Sequence, residues 1–470
     1  MSLYNTFLNF FKGTSGYEVE DRVQTNQMPH TPRPQIASKE LRNQTRNDIL
    51  SQSRYYGRND GTVKELISNL ALYSVGSGIT PQPMTSSSDL NNELLSAFNA
   101  WWKKPEITGR FSGRQVQEFI SKTYDTDGEI FILKTFDPIT AEPKIQLVEA
   151  QQVKTFEGQT DFEAGIKFDS YGKPEAYSIE QQDGSCKIVP ASSVIHIFNA
   201  ERASSTRGIS TYAHLLSLTN QRTELLDLTI QKARQEAKFV NAIEQSRADE
   251  SLSAQDFLNN NSSGDEAAEE QERMLYESAS RVSSVIGGTT VSLPSGMSLK
   301  QLSNNTPGGT YIPFAEQLLK LSTCGMLPYG FSDPSSLTGT GVRMTIAKAG
   351  RIIAARQDLI CEAMTEIYTY FVGCLIASQN IIINDDVSDI FKVEWLCSKN
   401  ITIDHFRDER TDMALLEGGL KPIADYYQER GLDYKKEVKA RIEAIKEIRQ
   451  MCSENDIAPE LIFPTLFKTK

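Results

Sequence analysis

Two long segments of the sequence carry apolar or small residues at alternating spacings of four and three. This pattern is typical of helices that pack along one side. The stripe positions are Tyr212, Leu216, Thr219, Thr223, Leu226, Ile230, Ala233, Ala237 and Val240, followed by Ile346, Gly350, Ile353, Gln357, Ile360, Met364, Ile367, Phe371 and Cys374. A single helix over residues 209–245 would be about 55 Å long. The first stripe favours packing against neighbouring helices.

The hydrophobic period changes from helical to alternating at Glu129. The segments "GEIFILKTFD", "KIQLVEAQQV", "AGIKFDSYGKPEAYSIEQQ" and "SSVIHIFNA" alternate apolar with polar residues and are separated by turn sequences. We therefore expect a mostly antiparallel β region here, preceded by helices. The pair Trp101–Trp102 lies in one of those helices and is interpreted as a core anchor. The fold class is α+β.

A polar, acidic segment follows the first long helix and contains Asp265, Glu266, Glu269, Glu270 and Glu272. Such a run is typical of a solvated, projecting part of a protein. Two short β segments joined by glycines follow it, "VSSVIGGTTVSL" and the stretch after Pro294. We expect a small projecting β unit between the helices.

The second long helix is preceded by "LPYGFSDPSSLTGTG", residues 327–341, a stretch rich in Gly, Pro and Ser. It has no Lys or Arg and therefore cannot form ion pairs with phosphate groups. Its single charge, Asp333, repels DNA. The composition indicates an adaptable loop that does not hold nucleic acid.

Composition excludes several classes of protein. A chain of 470 residues with 39% hydrophobic and 23% charged residues is typical of a globular protein of two to four domains. The net charge of -12 argues against a broad DNA-gripping surface. No apolar run reaches the roughly 20 residues that span a bilayer, and no secretory signal is expected. The six scattered cysteines, Cys186, Cys324, Cys361, Cys374, Cys397 and Cys452, fit reduced cytoplasmic thiols.

Patterns of catalytic or metal-binding residues are not found in the sequence. Its four histidines, His30, His196, His214 and His405, match no zinc motif, and His196 is interpreted as a core residue. Neither a P-loop nor a G-x-S-x-G motif occurs. Asp385–Asp386 is interpreted as a solvated turn. We expect no enzyme activity, no cofactor and no metal.

Several phrases, taken in order, resemble the portal proteins of tailed bacteriophages, in the lambda-like family. They are "ALYSVGSGITPQP", "TDGEIFI", "KIQLVEAQQV", "GIKFDSYGKPEAYSI", "VPASSVIHIFNAERASSTRGIS" and "GLKPIADYYQERGLDYKKEVKARIEAIKEI". Together they cover the chain from about Lys39 to Ile457 in the order of the family. The phrase that often precedes the helix arginine in this family is replaced here by "LTGTGVR".

The resemblance implies a ring, commonly dodecameric, at one vertex of the phage head. Such a ring requires helix packing between subunits, for which both stripes are suitable. It divides the chain into a flexible N-terminal lead-in at 1–38, a wing at 39–208, a stem helix at 209–243, a clip at 244–309, a second stem helix at 310–326, a tunnel loop at 327–341, a long wing helix with its return at 342–400, and a crown at 401–470. The clip would contain the projecting β unit.

The resemblance also implies roles for residues. The tunnel loop would line the channel with Tyr329, Phe331, Ser332, Asp333, Ser335, Ser336, Leu337, Thr338 and Thr340. Candidate DNA contacts are Arg343, Lys435, Lys436, Lys439 and Arg441. The alternative for Arg343 is an N-terminal helix residue that bonds locally. The alternative for the other four is a solvated helix face. Terminase docking is assigned to Arg281, Val282, Val285, Ile286, Thr289, Val291 and Leu293, and deletion of residues 283–293 is expected to abolish it.

The implied partners are other copies of the chain, double-stranded DNA without sequence specificity, the terminase large subunit, major capsid and scaffold proteins, and head-completion or adaptor proteins. The implied location is the portal vertex of the virion, after assembly in the bacterial cytoplasm. Such a ring would also nucleate the capsid, join head to tail and conduct DNA during packaging and ejection.

Two alternatives remain at this level. A nuclease or other DNA-processing enzyme of the packaging apparatus would need clustered carboxylates for metal, and the β region offers Glu129 and Glu149. Another connector ring is the second alternative, although such proteins are usually much shorter.

Overall fold

The computed structural model describes residues 36–238, 241–245, 297–301, 308–335, 337–379, 389–397, 405–428, 430, 432 and 434–455. They belong to two compact units: Met1–Asn220 with Gln317–Lys470, and Gln221–Glu316. The residues assigned to terminase docking, most of the acidic segment, Ser336 and Asp385–Asp386 lie outside the described residues.

The first part of the larger unit is helical. Its helices are α1 (Ala37–Glu40), α2 (Asn43–Asn59), α3 (Gly61–Val75), α4 (Ser88–Trp102) and α5 (Gly113–Thr126). Asp60 separates α2 from α3, and its side chain accepts a hydrogen bond from the backbone N of Val63 at 3.0 Å. Ser112 and Gln115 form a capping box that starts α5.

The tryptophan pair at the end of α4 packs against the main core, as the sequence predicts. Trp101 stacks on Phe371 at 4.6 Å between ring centroids, and its Nε1 donates to the carbonyl of Pro143 at 2.6 Å. The indole body is therefore covered while its polar edge is satisfied.

The alternating segments after Glu129 form two antiparallel sheets, which confirms the predicted β region. One sheet has the order β3-β2-β8, from Pro143–Val148, Glu129–Phe136 and Val194–Phe198. The other has the order β4-β5-β6-β7, from Phe162–Glu163, Ile166–Phe168, Pro174–Glu180 and Cys186–Pro190. Strand β2 is buried over its first five residues because it is central and covered on both faces.

A further strand pair was not predicted from the sequence. Strand β1 (Thr80–Pro83) pairs antiparallel with β11 (Val393–Leu396), more than 300 residues later. The two prolines of β1 argue against a strand when only local sequence is considered. The pairing brings the chain after the longest helix back to the N-terminal helices.

Helix α9 (Gly339–Ala377) is the longest helix of the described chain and carries the main core. Residues Ile360, Met364, Ile367 and Tyr368 are buried and pack with side chains of α4, α5 and β2. The helix is long and apolar enough to cross a membrane, a property that the core helices of folded domains share. Here its apolar side is in contact with the protein's own core.

The second predicted stripe therefore faces inward. Ile353, Gln357, Ile360, Met364, Ile367 and Phe371 are all buried within this subunit. The expectation that this stripe serves packing between subunits is wrong over these positions. The periodicity was read correctly as helical, but periodicity cannot tell which surface covers a stripe.

The first long helix is shorter than predicted. Helix α6 spans Leu216–Lys238, whereas residues 209–215 form turns and Asn241–Gln245 forms strand β9. Residues before Leu216 are held out of the helix because Ser210 and Thr211 bond to Asp125. Strand β9 pairs antiparallel with β10 (Met297–Gln301).

The C-terminal part contains α7 (Tyr311–Leu321), α8 (Tyr329–Ser332), α10 (His405–Glu417), α11 (Ile423–Gln428) and α12 (Tyr434–Glu454), in addition to α9. Asp412 of α10 pairs with Lys421 at 2.9 Å and with Arg430 at 3.0 Å, two residues that flank α11 in the sequence. Arg430 also lies over the ring of Tyr426 at 3.5 Å.

Candidate functional site

The candidate channel segment, residues 327–341, is anchored at its start. Met326 and Leu327 are buried in a hydrophobic cluster with Leu66, Leu70 and Ile353. Burial of a leucine side chain contributes roughly 2 kcal/mol. The start of the segment is thus packed against α3 and α9.

The segment contains one helical turn, α8, where the sequence suggested a continuous loop. Pro328 precedes it, and the amide of Asp333 closes it on the carbonyl of Tyr329 at 3.1 Å. Phe331 packs edge-to-face on Tyr73 of α3, with 5.2 Å between ring centroids. Its aromatic residues therefore hold the segment against the protein.

Asp333 is the single charge of the segment and is stabilised in its ionised form. Hydrogen bonds from the side chain and backbone of Ser335 hold the pKa of Asp333 below its usual value. The hydroxyl of Tyr329 also lies 3.3 Å from Oδ2 of Asp333. The segment consequently presents negative charge at neutral pH.

The return to α9 depends on close packing of small residues. A Cβ atom at Gly330 would lie 2.5 Å from Cδ1 of Leu337, so this leucine covers the glycine. Thr338 precedes the helix, and its carbonyl accepts from the amide of Val342 at 2.9 Å. Helix α9 begins at Gly339, three residues before Val342.

The predicted site residues are distributed over distant elements. Arg343 is exposed in the first turns of α9. Lys435, Lys436, Lys439 and Arg441 are exposed on α12; the spacing places the three lysines on one side and Arg441 on another. Their roles stay predictions.

A buried group of three carboxylates was not predicted as a unit. We call Asp125, Asp127 and Glu129 the carboxylate cluster; they occupy the end of α5 and the start of β2 and are nearly or fully buried. Each pairs with arginine from a distant part of the chain. Alternate positions within "YDTDGEI" were the available signal, but sequence cannot show which cations pair with them.

Glu129 lies at the centre of the cluster. Arg207 binds both of its oxygens, with 2.5 Å from Nη2 to Oε1 and 2.8 Å from Nε to Oε2. Arg46 of α2 adds a bond of 3.0 Å to Oε1, and the amide of Gly208 donates to Oε2 at 3.0 Å. Nε2 of His196 lies 3.2 Å from Oε2. Both carboxylate oxygens are therefore fully occupied by protein donors.

The pKa values follow from these contacts. Burial favours a raised pKa at Glu129, but the charge of Arg207 and the bonds from His196 and Arg207 outweigh it and hold the pKa well below its usual value. Burial lowers the pKa of His196, so its ring is neutral and Nε2–H donates to Glu129. Burial also lowers the pKa of Arg46 to about 10, with a contribution from nearby Arg207.

The two aspartates bring further helices to the same point. Arg54 of α2 binds Asp127 through Nε at 2.9 Å and Nη2 at 2.5 Å. Arg356 of α9 binds Asp125 at 2.5 Å. Burial nevertheless raises the pKa of both aspartates. The cluster therefore ties α2, α5, β2 and α9 together.

A cleft of ≈ 510 Å³ opens next to this cluster. Its lining carries charges of both signs from Glu40, Arg42, Arg46, Glu163, Glu201, Arg202 and Arg207. Glu40 and Arg202, which both line the cleft, form a salt bridge with each other. This mixed lining does not select a ligand of one charge.

Glu129 and Glu149, the two carboxylates that the sequence suggested as metal ligands, do not form a metal site together. Glu129 has no free oxygen, and Glu149 is exposed and bonds to Gln151 and Arg54. Across the described residues, no group of three or more His, Cys, Asp or Glu side chains could hold a metal ion.

Comparison with known proteins identifies the family. The family model described as phage portal protein, lambda family, matches residues 25–357, about 70% of the chain. The chain belongs to the lambda family of phage portal proteins. This match covers the carboxylate cluster, the channel segment and the first half of α9. The curated proteins gave no significant match.

Several solved structures are similar to this chain. The neck of an empty gene transfer agent (GTA) particle, computed with C6 symmetry, matches with a TM-score of 0.52 and 13% identity over 85% of this chain and 95% of that chain. A native GTA virion matches with a TM-score of 0.48 and 14% identity over 85% and 95%. An HK97 family phage portal protein from Corynebacterium diphtheriae matches with a TM-score of 0.29 and 11% identity over 66% and 88%.

Proposed function

We propose that this portal protein forms a ring at one vertex of a phage head, through which DNA enters during packaging and leaves during ejection. The observation that carries the proposal is the family match over residues 25–357. The similar fold of the GTA neck, computed with C6 symmetry, supports closure into a ring, with twelve copies as the family's usual number.

Exposed apolar residues on α6 support assembly. Among the positions of the first stripe after Thr219 whose side chains are described, Thr223 is exposed, and Leu226 and Ile230 are 49% and 40% exposed. They are four residues apart and therefore lie on the same side of the helix. A neighbouring subunit would cover this side, with α6 acting as a stem helix.

The channel segment is proposed to face the DNA. Its anchored base and helical turn favour a defined position, and the absence of Lys and Arg from 327–342 favours weak contact with phosphates. The wing, clip and crown assignments, and the docking of terminase to residues 281–293, belong to this proposal. A structural role without enzyme activity is also proposed, and the saturated contacts of Glu129 support it.

Ring formation is tested by native mass measurement and negative-stain microscopy of the purified protein. We expect a ring of about twelve copies with an axial hole. A monomer or compact dimer at several salt concentrations, together with absence of terminase binding, would contradict the proposal.

The role of the channel segment is tested with Ser335→Lys. Ser335 is exposed, and its backbone amide donates to Oδ1 of Asp333 at 3.0 Å. A substitution of the side chain keeps this backbone hydrogen bond, so the turn should be preserved. A lysine in the channel would pair with passing phosphates and slow DNA packaging. Ser335→Ala is the matched control with no added charge. Equal packaging rates for both variants would show that this segment does not face the DNA.

A further inference from the structure

Two cysteines that are far apart in sequence are in contact. Sγ of Cys361 lies 3.6 Å from Sγ of Cys397, and the two residues are 36 positions apart in the sequence. All six cysteines of the chain are free and lie in the described part. Among these residues, Cys361 and Cys397 are the pair whose sulfur atoms meet.

The contact is held by structure on both sides. Cys361 follows the buried Ile360 of α9, and Cys397 follows directly after β11. Strand β11 is fixed to α9 independently of the thiols, because Nε1 of Trp395 donates to Oγ1 of Thr365 at 2.9 Å. The backbone of β11 also pairs with β1. The distance between the sulfur atoms is therefore set by the fold.

We propose that Cys361 and Cys397 are a redox-reactive pair that forms a disulfide and thereby joins α9 covalently to β11. A disulfide has about 2.05 Å between its sulfur atoms, so each side chain needs only a small rotation to close the bond. Both residues are partly buried at the edge of the main core, where a small reagent can approach.

The polarity of the pair defines the order of steps. The hydrogen bond between the two thiols, in which either sulfur can be the donor, raises the pKa of Cys361 and lowers that of Cys397. The thiolate of Cys397 attacks a small-molecule disulfide such as glutathione disulfide and expels one thiolate. Cys361 then loses its proton and attacks the mixed disulfide at Cys397, expelling a second thiolate. The protein loses two electrons, and the reagent is reduced to two thiols.

The stage at which the disulfide would form rests on the proposed function, whereas the reactivity of the two thiols does not. Assembly in a reducing cytoplasm would keep the pair reduced, and release of the particle into an oxidising medium would allow the bond to form. The closed loop contains the second half of α9 and the connection to β11. The bond would thus stabilise the particle protein after assembly.

The test uses the full-length protein, reduced, desalted and incubated with glutathione disulfide. We expect the number of alkylatable thiols to fall from the 6 of the sequence by two, and the melting temperature to rise by on the order of 5 °C. Because Cys361 and Cys374 share a tryptic peptide, the non-reduced digest should combine trypsin with a protease that cleaves after Glu362. The linked peptides must contain Cys361 and Cys397.

Matched variants separate this pair from other thiols. Cys374→Ser should still form the bond, whereas Cys361→Ser and Cys397→Ser should lose both the linked peptide and the temperature rise. The linked peptide of the unmodified chain remains decisive if a variant fails to fold. Mixed disulfides confined to the exposed Cys186 and Cys324, or bonds between other cysteines, would overturn the proposal. Ring assembly is measured separately, so that failure of the portal proposal does not affect this result.

Discussion

Three cationic or basic side chains, those of Arg46, His196 and Arg207, converge on Glu129. In Glu129→Gln, Arg207 and Arg46 would remain buried without their counter-charge, and we expect a loss of about 3–5 kcal/mol in the free energy of unfolding. Urea denaturation measures it. The exposed Glu149→Gln serves as the control and should change stability by less than about 1 kcal/mol. Equal midpoints for both variants would contradict a stabilising role for the cluster.

The pH dependence of stability is expected to reflect His196. Because burial lowers its pKa, the folded protein keeps this ring neutral, whereas the unfolded chain binds a proton below about pH 6.5. Its contribution is present above that pH and is lost as pH falls toward the lower, folded-state pKa, at up to about 1.4 kcal/mol per pH unit. The raised pKa values of Asp125 and Asp127 act with opposite sign at more acidic pH.

The variant His196→Gln isolates this contribution, because its amide can still donate to Glu129 but does not titrate. We expect the stability difference between wild type and variant to decrease from pH 7.5 to pH 5.5 in parallel denaturation series. A constant difference would show that His196 takes up its proton equally in the folded and unfolded states.

At the scale of elements, the two long helices use the same periodicity for different purposes. Helix α9 buries its stripe in the subunit, whereas α6 exposes Leu226 and Ile230. We expect Leu226→Lys with Ile230→Lys to prevent ring assembly without unfolding the chain, since both are exposed in the subunit. Gln231→Lys, on another side of α6, is the control with the same type of added charge. Sedimentation velocity and circular dichroism measure assembly and folding, and normal rings from the double variant would exclude α6 from the interface.

At the scale of the whole molecule, acidity and function are linked. With a net charge of -12 per chain and no cation in residues 327–342, an assembled ring should bind free duplex DNA weakly. We expect a gel-shift affinity no tighter than about 10⁻⁵ M at physiological salt, in the range of non-specific binding. Nanomolar retention of DNA would contradict a channel that lets DNA slide.

Much of the local structure could be predicted from the sequence. The change of period at Glu129 and the helical periodicity of α9 were interpreted correctly, because hydrophobic periodicity is a local signal. The predicted helix over 209–245 was wrong at both ends, because Ser210 and Thr211 bond to Asp125 and residues 241–245 pair with a later strand. Such tertiary contacts override helix propensity.

The sequence by itself determined the change from helices to the β region at Glu129, the acidic balance, an approach to α9 without Lys or Arg, and membership of the portal family. Only the tertiary structure decided which stripe is covered, which arginine meets each buried carboxylate and which two thiols touch. Periodicity and capping act over a few residues, so they can be read directly. Pairs such as Asp125–Arg356 and Cys361–Cys397 are brought together by core packing, which depends on the whole chain at once.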